Sequence, residues 1–281
     1  MTIHDTESGL KKLIKQLNQT TKQSVQEKYQ LHQTYICKPL APPFFPDVEL
    51  PDIQNHLLRH GLFSPQTSPD VLTDWLKNDY NSKIERLYQK CKATWDGPAT
   101  NIFVLPSNEE IRELKEWFDS NAGLSYPNKL FLFLSTSASS KELTALFLHE
   151  YSHTCRLDNF PKEESSYTLL DAVILEGIAE WIVRKLLGKS YGNKRVKWVP
   201  DQTFLNMWKK WVEPNSDIPR THLKHDMVMY GGSGISKNAG YLIGYNLIHR
   251  YMAKNNQGSK ALLKLSNEKI LASIDLFSDK N

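Results

Sequence analysis

The stretch LFLHEYSHTC, residues 146–155, sets His149, Glu150 and His153 among the apolar neighbours Leu146, Phe147, Leu148 and Tyr151. On a helix turning ~100° per residue, side chains four apart lie ~40° apart on one face, their Cβ atoms ~6 Å from each other. Two imidazoles so placed converge on one cation. Glu150, displaced around the helix, flanks that position and reaches a water bound there. This is the HExxH pattern: two neutral imidazole ligands for zinc and a carboxylate that accepts the water's proton as general base. The plainer reading pairs the three groups with helical neighbours. It needs a separate buried partner for each, whereas one metal serves all three.

Catalytic zinc takes three protein ligands and leaves a fourth position for water. The next apolar helical stretch, LLDAVILEGIAEWIVRKLLG (169–188), carries Glu176 and Glu180 four apart on one face. Near them lie Ala172, Gly177 and Ala179, small enough to let this helix approach the HExxH helix closely. One carboxylate would complete a His–His–Glu set, and the other would hydrogen-bond the far nitrogen of a ligating histidine. The spacing leaves open which is which. The alternative is a pair of solvated acids, or an acid paired with Arg184.

Peptide hydrolysis passes through an oxyanion that a Tyr or His donor helps to stabilise. The sequence YGGSGISKNAGYLIGYNLIHRYM offers a glycine-rich loop, Gly231 to Gly234, followed by a helix with Tyr241, Tyr245 and His249 on one stripe. Tyr241 is the first candidate and Tyr245 the second, against simple packing of both rings. His225 reads as a solvated loop histidine or, with Cys155, as a possible fourth ligand of a structural zinc, although Cys155 points around the helix from the metal face. The glycine-rich loop does not match a phosphate-binding pattern, and the basic run Lys189 to Trp198 reads as a solvated loop.

HExxH followed by a helix with two acids four apart resembles the gluzincin metallopeptidases. More closely, LHEYSHTCRL, LEGIAEWIV and NAGYLIGYNLI together resemble the bacterial domain-of-unknown-function family 2268, described as predicted zinc-dependent proteases. The resemblance spans roughly residues 50 to 255 and implies Glu176 as the third zinc ligand and Glu180 as the residue that orients a ligand.

The elements that must hold these residues are legible in part. Ser68-Pro69-Asp70 opens a helix running toward Cys91. NIFVLP (101–106) reads as a strand, and Ser107 with Glu110 forms a capping box for a helix ended by Gly123. KLFLFLS (129–135) is a second, fully apolar strand. An extended peptide could add to an edge at Leu130 to Leu134. Ser139 and Glu142 then cap the HExxH helix, and nearly everything after residue 140 is helical. The expected fold is α+β, a zincin-like domain with a small sheet packed on a mainly helical body.

Ahead of it, residues 1–50 read as a polar helix or arm. Pro39, Pro42, Pro43, Pro46 and Pro51 suggest an extended connector there, leaving 51–281 as the catalytic domain. The chain of 281 residues is 40% apolar with a net charge of +4, enough for a real core and with no charge block demanding nucleic acid. Three irregularly spaced cysteines, and neither a signal peptide nor a membrane span, point to a soluble cytoplasmic protein. The expectation is a metallopeptidase with one Zn2+ per chain and a peptide or protein substrate. The rivals are a zinc-binding adaptor without turnover and a hydrolase of non-peptide amides.

Overall fold

A computed structural model of the chain describes residues 3–19 and 23–278, without the side chains of residues 42–43 and 273–278. Residues 1–2 and 20–22 of the expected arm, and 279–281 of the expected catalytic domain, lie outside it. The fold is α+β, and the chain forms two compact units: Met1–Lys90 with Ala99–Phe147, and Cys91–Pro98 with Leu148–Asn281.

The first unit opens with α1 (Thr6–Gln19) and α2 (Val25–His32). Leu10 and Leu13 of α1 are buried, so the N-terminal residues are part of this unit's core and not a separate arm. The expected extended connector is instead wound: a π-turn at Gln33–Cys37, a 3-10 turn at Lys38–Leu40, then α3 (Ala41–Phe44) and α4 (Leu50–Arg59). Pro39, Pro42 and Pro51 stand at the opening positions of these short helices, where a missing N–H breaks no hydrogen bond, and Pro46 lies in the turn between α3 and α4. Burial of Ile36, Cys37 and Leu40 holds the segment down.

Ser68 caps α5 (Pro69–Trp75) as expected, its hydroxyl accepting from the Val71 N–H. The helix does not run on to Cys91: Asp79, at φ +47°, takes the left-handed conformation and separates α5 from α6 (Tyr80–Trp95).

Strand β1 (Asn101–Pro106) is followed by a short α7 (Arg112–Trp117), β2 (Ala122–Ser125) and β3 (Lys129–Leu134). The sheet order is β1-β3-β2, with β1 parallel and β2 antiparallel to β3. The capping box expected at Ser107 and Glu110 is absent, because the Ser107 N–H extends the sheet to the Leu134 carbonyl and α7 begins only at Arg112. Gly123 lies in β2 and ends no helix. Being central, β3 is paired along both sides and fully buried from Leu130 to Leu134, so an added peptide strand has no edge there.

Helix α8 (Ser140–Asn159) starts with the expected box: the Ser139 N–H donates to Glu142 at 2.7 Å and the Glu142 N–H to the Ser139 hydroxyl at 3.2 Å. From Leu148 onward α8 belongs to the second unit. There it is joined by α9 (Leu169–Leu187), α10 (Asp201–Met207), α11 (Leu223–Tyr230), α12 (Ala239–Asn255), α13 (Ser259–Leu263) and α14 (Asn267–Ser278). Arg156 of α8 ties the end of the chain in, donating to the Leu265 carbonyl at 2.6 Å and to Asn267 at 2.7 Å. Among the described residues no helix is long and apolar enough to cross a membrane.

Of the small residues of α9, Gly177 packs on α12. Gly177 faces Gly244 of α12, where a Cβ on Gly177 would stand 2.3 Å from the Gly244 carbonyl group. This close crossing of α9 on α12 is made by two glycines. It brings the acidic face of α9 against the tyrosine face of α12.

Candidate metal centre

The site is built on three helices of the second unit. His149 and His153 stand one turn apart on α8, their ring centroids 4.6 Å apart and their planes nearly perpendicular. Glu176 reaches both from α9 with a single oxygen: Oε2 lies 3.1 Å from His149 Nε2 and 3.5 Å from His153 Nε2. One donor atom from each of the three residues falls within 4.8 Å of the others. These side chains are only 20%, 8% and 15% exposed, so three polar groups converge in a largely dry place.

The electrostatics there favour a cation. Burial alone would pull His149 down, but the Glu176 carboxylate outweighs it and leaves the imidazole raised to about 9. Burial pushes Glu176 up, yet His153 and His149 together hold it well below the usual carboxylate range. His153 adds a further sign. Its Nδ1 is buried with no hydrogen-bond partner, so its desolvation is offset only through Nε2. His149, His153 and Glu176 would together hold a cation there, one donor atom from each. The donor set, two imidazoles and one carboxylate, fits zinc.

Glu150 is buried at 8% exposure, and its charge acts on both His149 and Tyr241. It therefore flanks the cluster from the ligand helix itself. Tyr241, from α12, lies against Glu176. Burial, the Glu176 carboxylate, Tyr230 and Glu150 together hold its hydroxyl well above the usual tyrosine range, so it keeps its proton.

Tyr245 and Glu180 occupy a different place, one turn further along their helices. The Arg184 guanidinium stands 4.8 Å from the centre of the Tyr245 ring, and the same arginine donates to Glu180 at 3.1 Å. Glu180 also accepts the Asn193 N–H on both oxygens, at 3.1 and 3.0 Å, and Arg184 donates to the carbonyls of Asn193 and Val196. Gly192 passes this pair so closely that a Cβ would lie 2.5 Å from Arg184 Nε. These hydrogen bonds of Glu180 go to an arginine and a loop, while its charge also acts on His149. The segment expected as a solvated basic loop is pinned at its centre, with Asn193 and Val196 buried.

His225 is likewise not a solvated loop residue. It is buried on α11, with Nδ1 3.1 Å from Asp226, and stands outside the metal group. Cys155 packs beside Gly97 and is also outside that group. Tyr230, at the end of α11, was not singled out by the sequence. Its ring pairs with that of Tyr241 at 6.2 Å, and no local spacing signals the contact.

The family model described as "Predicted Zn-dependent protease (DUF2268)" matches residues 80–272. The uncharacterized protein YjaZ of Bacillus subtilis (strain 168) is 30% identical over 220 residues, which is 78% of this chain and 84% of that protein. No solved structure matches the chain. The matched residues include both helices that carry the cluster, and the chain belongs to the DUF2268 family of predicted zinc-dependent proteases.

Proposed function

We propose that the protein is a zinc-dependent metallohydrolase that cleaves peptide bonds, with one Zn2+ per chain held by His149, His153 and Glu176. The observation that carries this reading is the convergence of His149 Nε2, His153 Nε2 and Glu176 Oε2 in a largely buried cluster, with Glu150 on the helix of the two histidines. When bound, the metal supplies Lewis-acid polarisation and a water of lowered pKa.

The remaining chemistry falls to this chain's own side chains. Glu150 takes the proton from the attacking water and delivers it to the leaving amine nitrogen. Tyr241, protonated across the working pH range, donates its O–H to the oxygen that gains charge in the transition state. Of the two tyrosine candidates Tyr241 is the better placed, since Tyr245 is occupied with Arg184. Glu180 acts at a distance, fixing the helix turn that follows Glu176 to the loop at Asn193. The substrate is a peptide or protein. Three free, buried cysteines suit a reducing compartment, in keeping with a cytoplasmic protein.

The test is metal content by mass spectrometry for wild type, His153→Ala and Glu176→Ala, together with peptide-library cleavage. One zinc per chain in wild type, lost in both variants, and cleavage that depends on it are the expected results. A wild-type protein that takes up no zinc on reloading overturns the reading.

A further inference from the structure

Helix α11 has two sharply different faces. At ~100° per residue, Leu223, Met227 and Tyr230 fall within about 60° of one another, while His225, Val228 and Met229 lie opposite. The second set is buried, and Met229 is pressed so tightly on the start of α12 that a Cβ on Gly240 would stand 2.4 Å from its sulfur. The first set is open: Leu223 is 72% and Tyr230 51% exposed, with Met227 between them partly covered beneath Gly232. What distinguishes this face is that its apolar side chains line up as one stripe on a helix packed from behind.

The stripe is continuous with the metal cluster. Its last ring, Tyr230, pairs with Tyr241, which lies against Glu176, and the charges of Glu176 and Arg220 both reach the Tyr230 hydroxyl. From Tyr230 to Leu223 is seven residues of helix, about 10 Å. Extended peptide rises ~3.3 Å per residue, so the stripe matches about three residues of bound chain whose first and third side chains point the same way. Lys224 and Asp226 flank it with opposite charges, so the apolar track itself carries no net preference for sign.

We infer that the Leu223–Met227–Tyr230 face of α11 is the specificity wall of the site, taking an extended peptide with large apolar side chains at alternate positions beginning next to the scissile bond. This rests on the metallopeptidase reading above and names its substrate class. Met227 suits the role because an unbranched thioether adapts to side chains of different shape.

The test uses zinc-loaded full-length protein and two tripeptide hydroxamates, one with Leu at its first and third positions and one with Ser there. Their affinities are measured by calorimetry for wild type, Leu223→Ser and Met227→Ser, with circular dichroism as the check on folding. The Leu probe should bind wild type at least about tenfold more tightly, the smallest effect expected from burying one leucine side chain. Either substitution should reduce that preference severalfold while leaving the Ser probe unchanged. Equal binding of the two probes, or a preference that survives both substitutions, overturns the inference and leaves the metal site standing. Failure of both hydroxamates to bind zinc-loaded protein removes the metallopeptidase reading, and this one with it. A change of oligomeric state in Leu223→Ser by analytical ultracentrifugation, with the probe preference intact, would give the stripe to a second copy of the chain instead.

Discussion

Gly244 lies so close to Val173 that a Cβ on it would stand 2.0 Å from the Val173 carbonyl oxygen. The obstacle is backbone, so no rotamer change relieves it. Gly244→Ala gains about 1 kcal/mol of helix propensity but must push α9 and α12 apart, an overpacking that destabilises by about 1–3 kcal/mol or more. The expected result is a net loss of stability in urea unfolding. Turnover should fall further than zinc content, because Tyr241 rides on the displaced helix. A variant as stable and active as wild type would mean that the crossing yields freely.

Glu150→Gln keeps the shape of the side chain and removes its basicity. Turnover should drop by about 10²–10⁴-fold, the usual contribution of a general base, while zinc stays at one per chain because Glu150 is not among the three converging donors. Undiminished cleavage would take the base role away from Glu150.

Glu180→Gln separates anchoring from ligand orientation. The Glu180 and Arg184 side chains are 4% and 9% exposed, and removing one partner of a buried pair destabilises by about 3–5 kcal/mol. Glutamine can still accept the Asn193 N–H, so the lower end is expected, with zinc affinity unchanged. A stable variant whose zinc affinity falls by about 10–100-fold would restore Glu180 as the group that orients a ligand.

His32 gives the first unit an acid-sensitive point. It is fully buried, its Nδ1 2.9 Å from Gln54 Nε2, and burial pulls its pKa down to about 3, against a weaker opposing contact from the Phe63 backbone. In the unfolded chain it returns to about 6.5. Between those values the unfolded state takes up a proton that the folded state refuses, so stability is full above pH ~6.5 and declines as pH falls toward 3. At pH 5 this one group accounts for roughly 2 kcal/mol. His32→Leu should be less stable at neutral pH, because it leaves one N–H of the Gln54 amide without an acceptor, yet lose less between pH 7.5 and pH 5 in urea titrations. Equal slopes for the two proteins would exclude His32 as the source.

The parts of the site legible in the sequence are those that helical periodicity determines. His149, Glu150 and His153 share five residues of one helix, and Glu176 and Glu180 share a turn of another, so spacing alone sets which side chains face together. The Ser139–Glu142 box is legible for the same reason. What stayed hidden depends on pairings distant in sequence. Gly177 announces a close approach but not that Gly244 is its counterpart. Glu176 and Glu180 look alike until Arg184 and the Asn193 backbone take one of them. Gly123 and the proline cluster misled because each residue type suits two settings: glycine ends helices and fills strands, and proline both breaks a helix and opens one.

The α9–α12 crossing has the form of a ladder with two rungs, Glu176 with Tyr241 on one and Glu180, Arg184 and Tyr245 on the other, one helical turn apart. The rungs answer to different pressures. Changes on the second should register as lost abundance of folded protein, and changes on the first as lost rate in protein that is fully abundant. Random variants of this chain, sorted once by cellular level and once by hydrolysis, should divide between these two neighbouring turns.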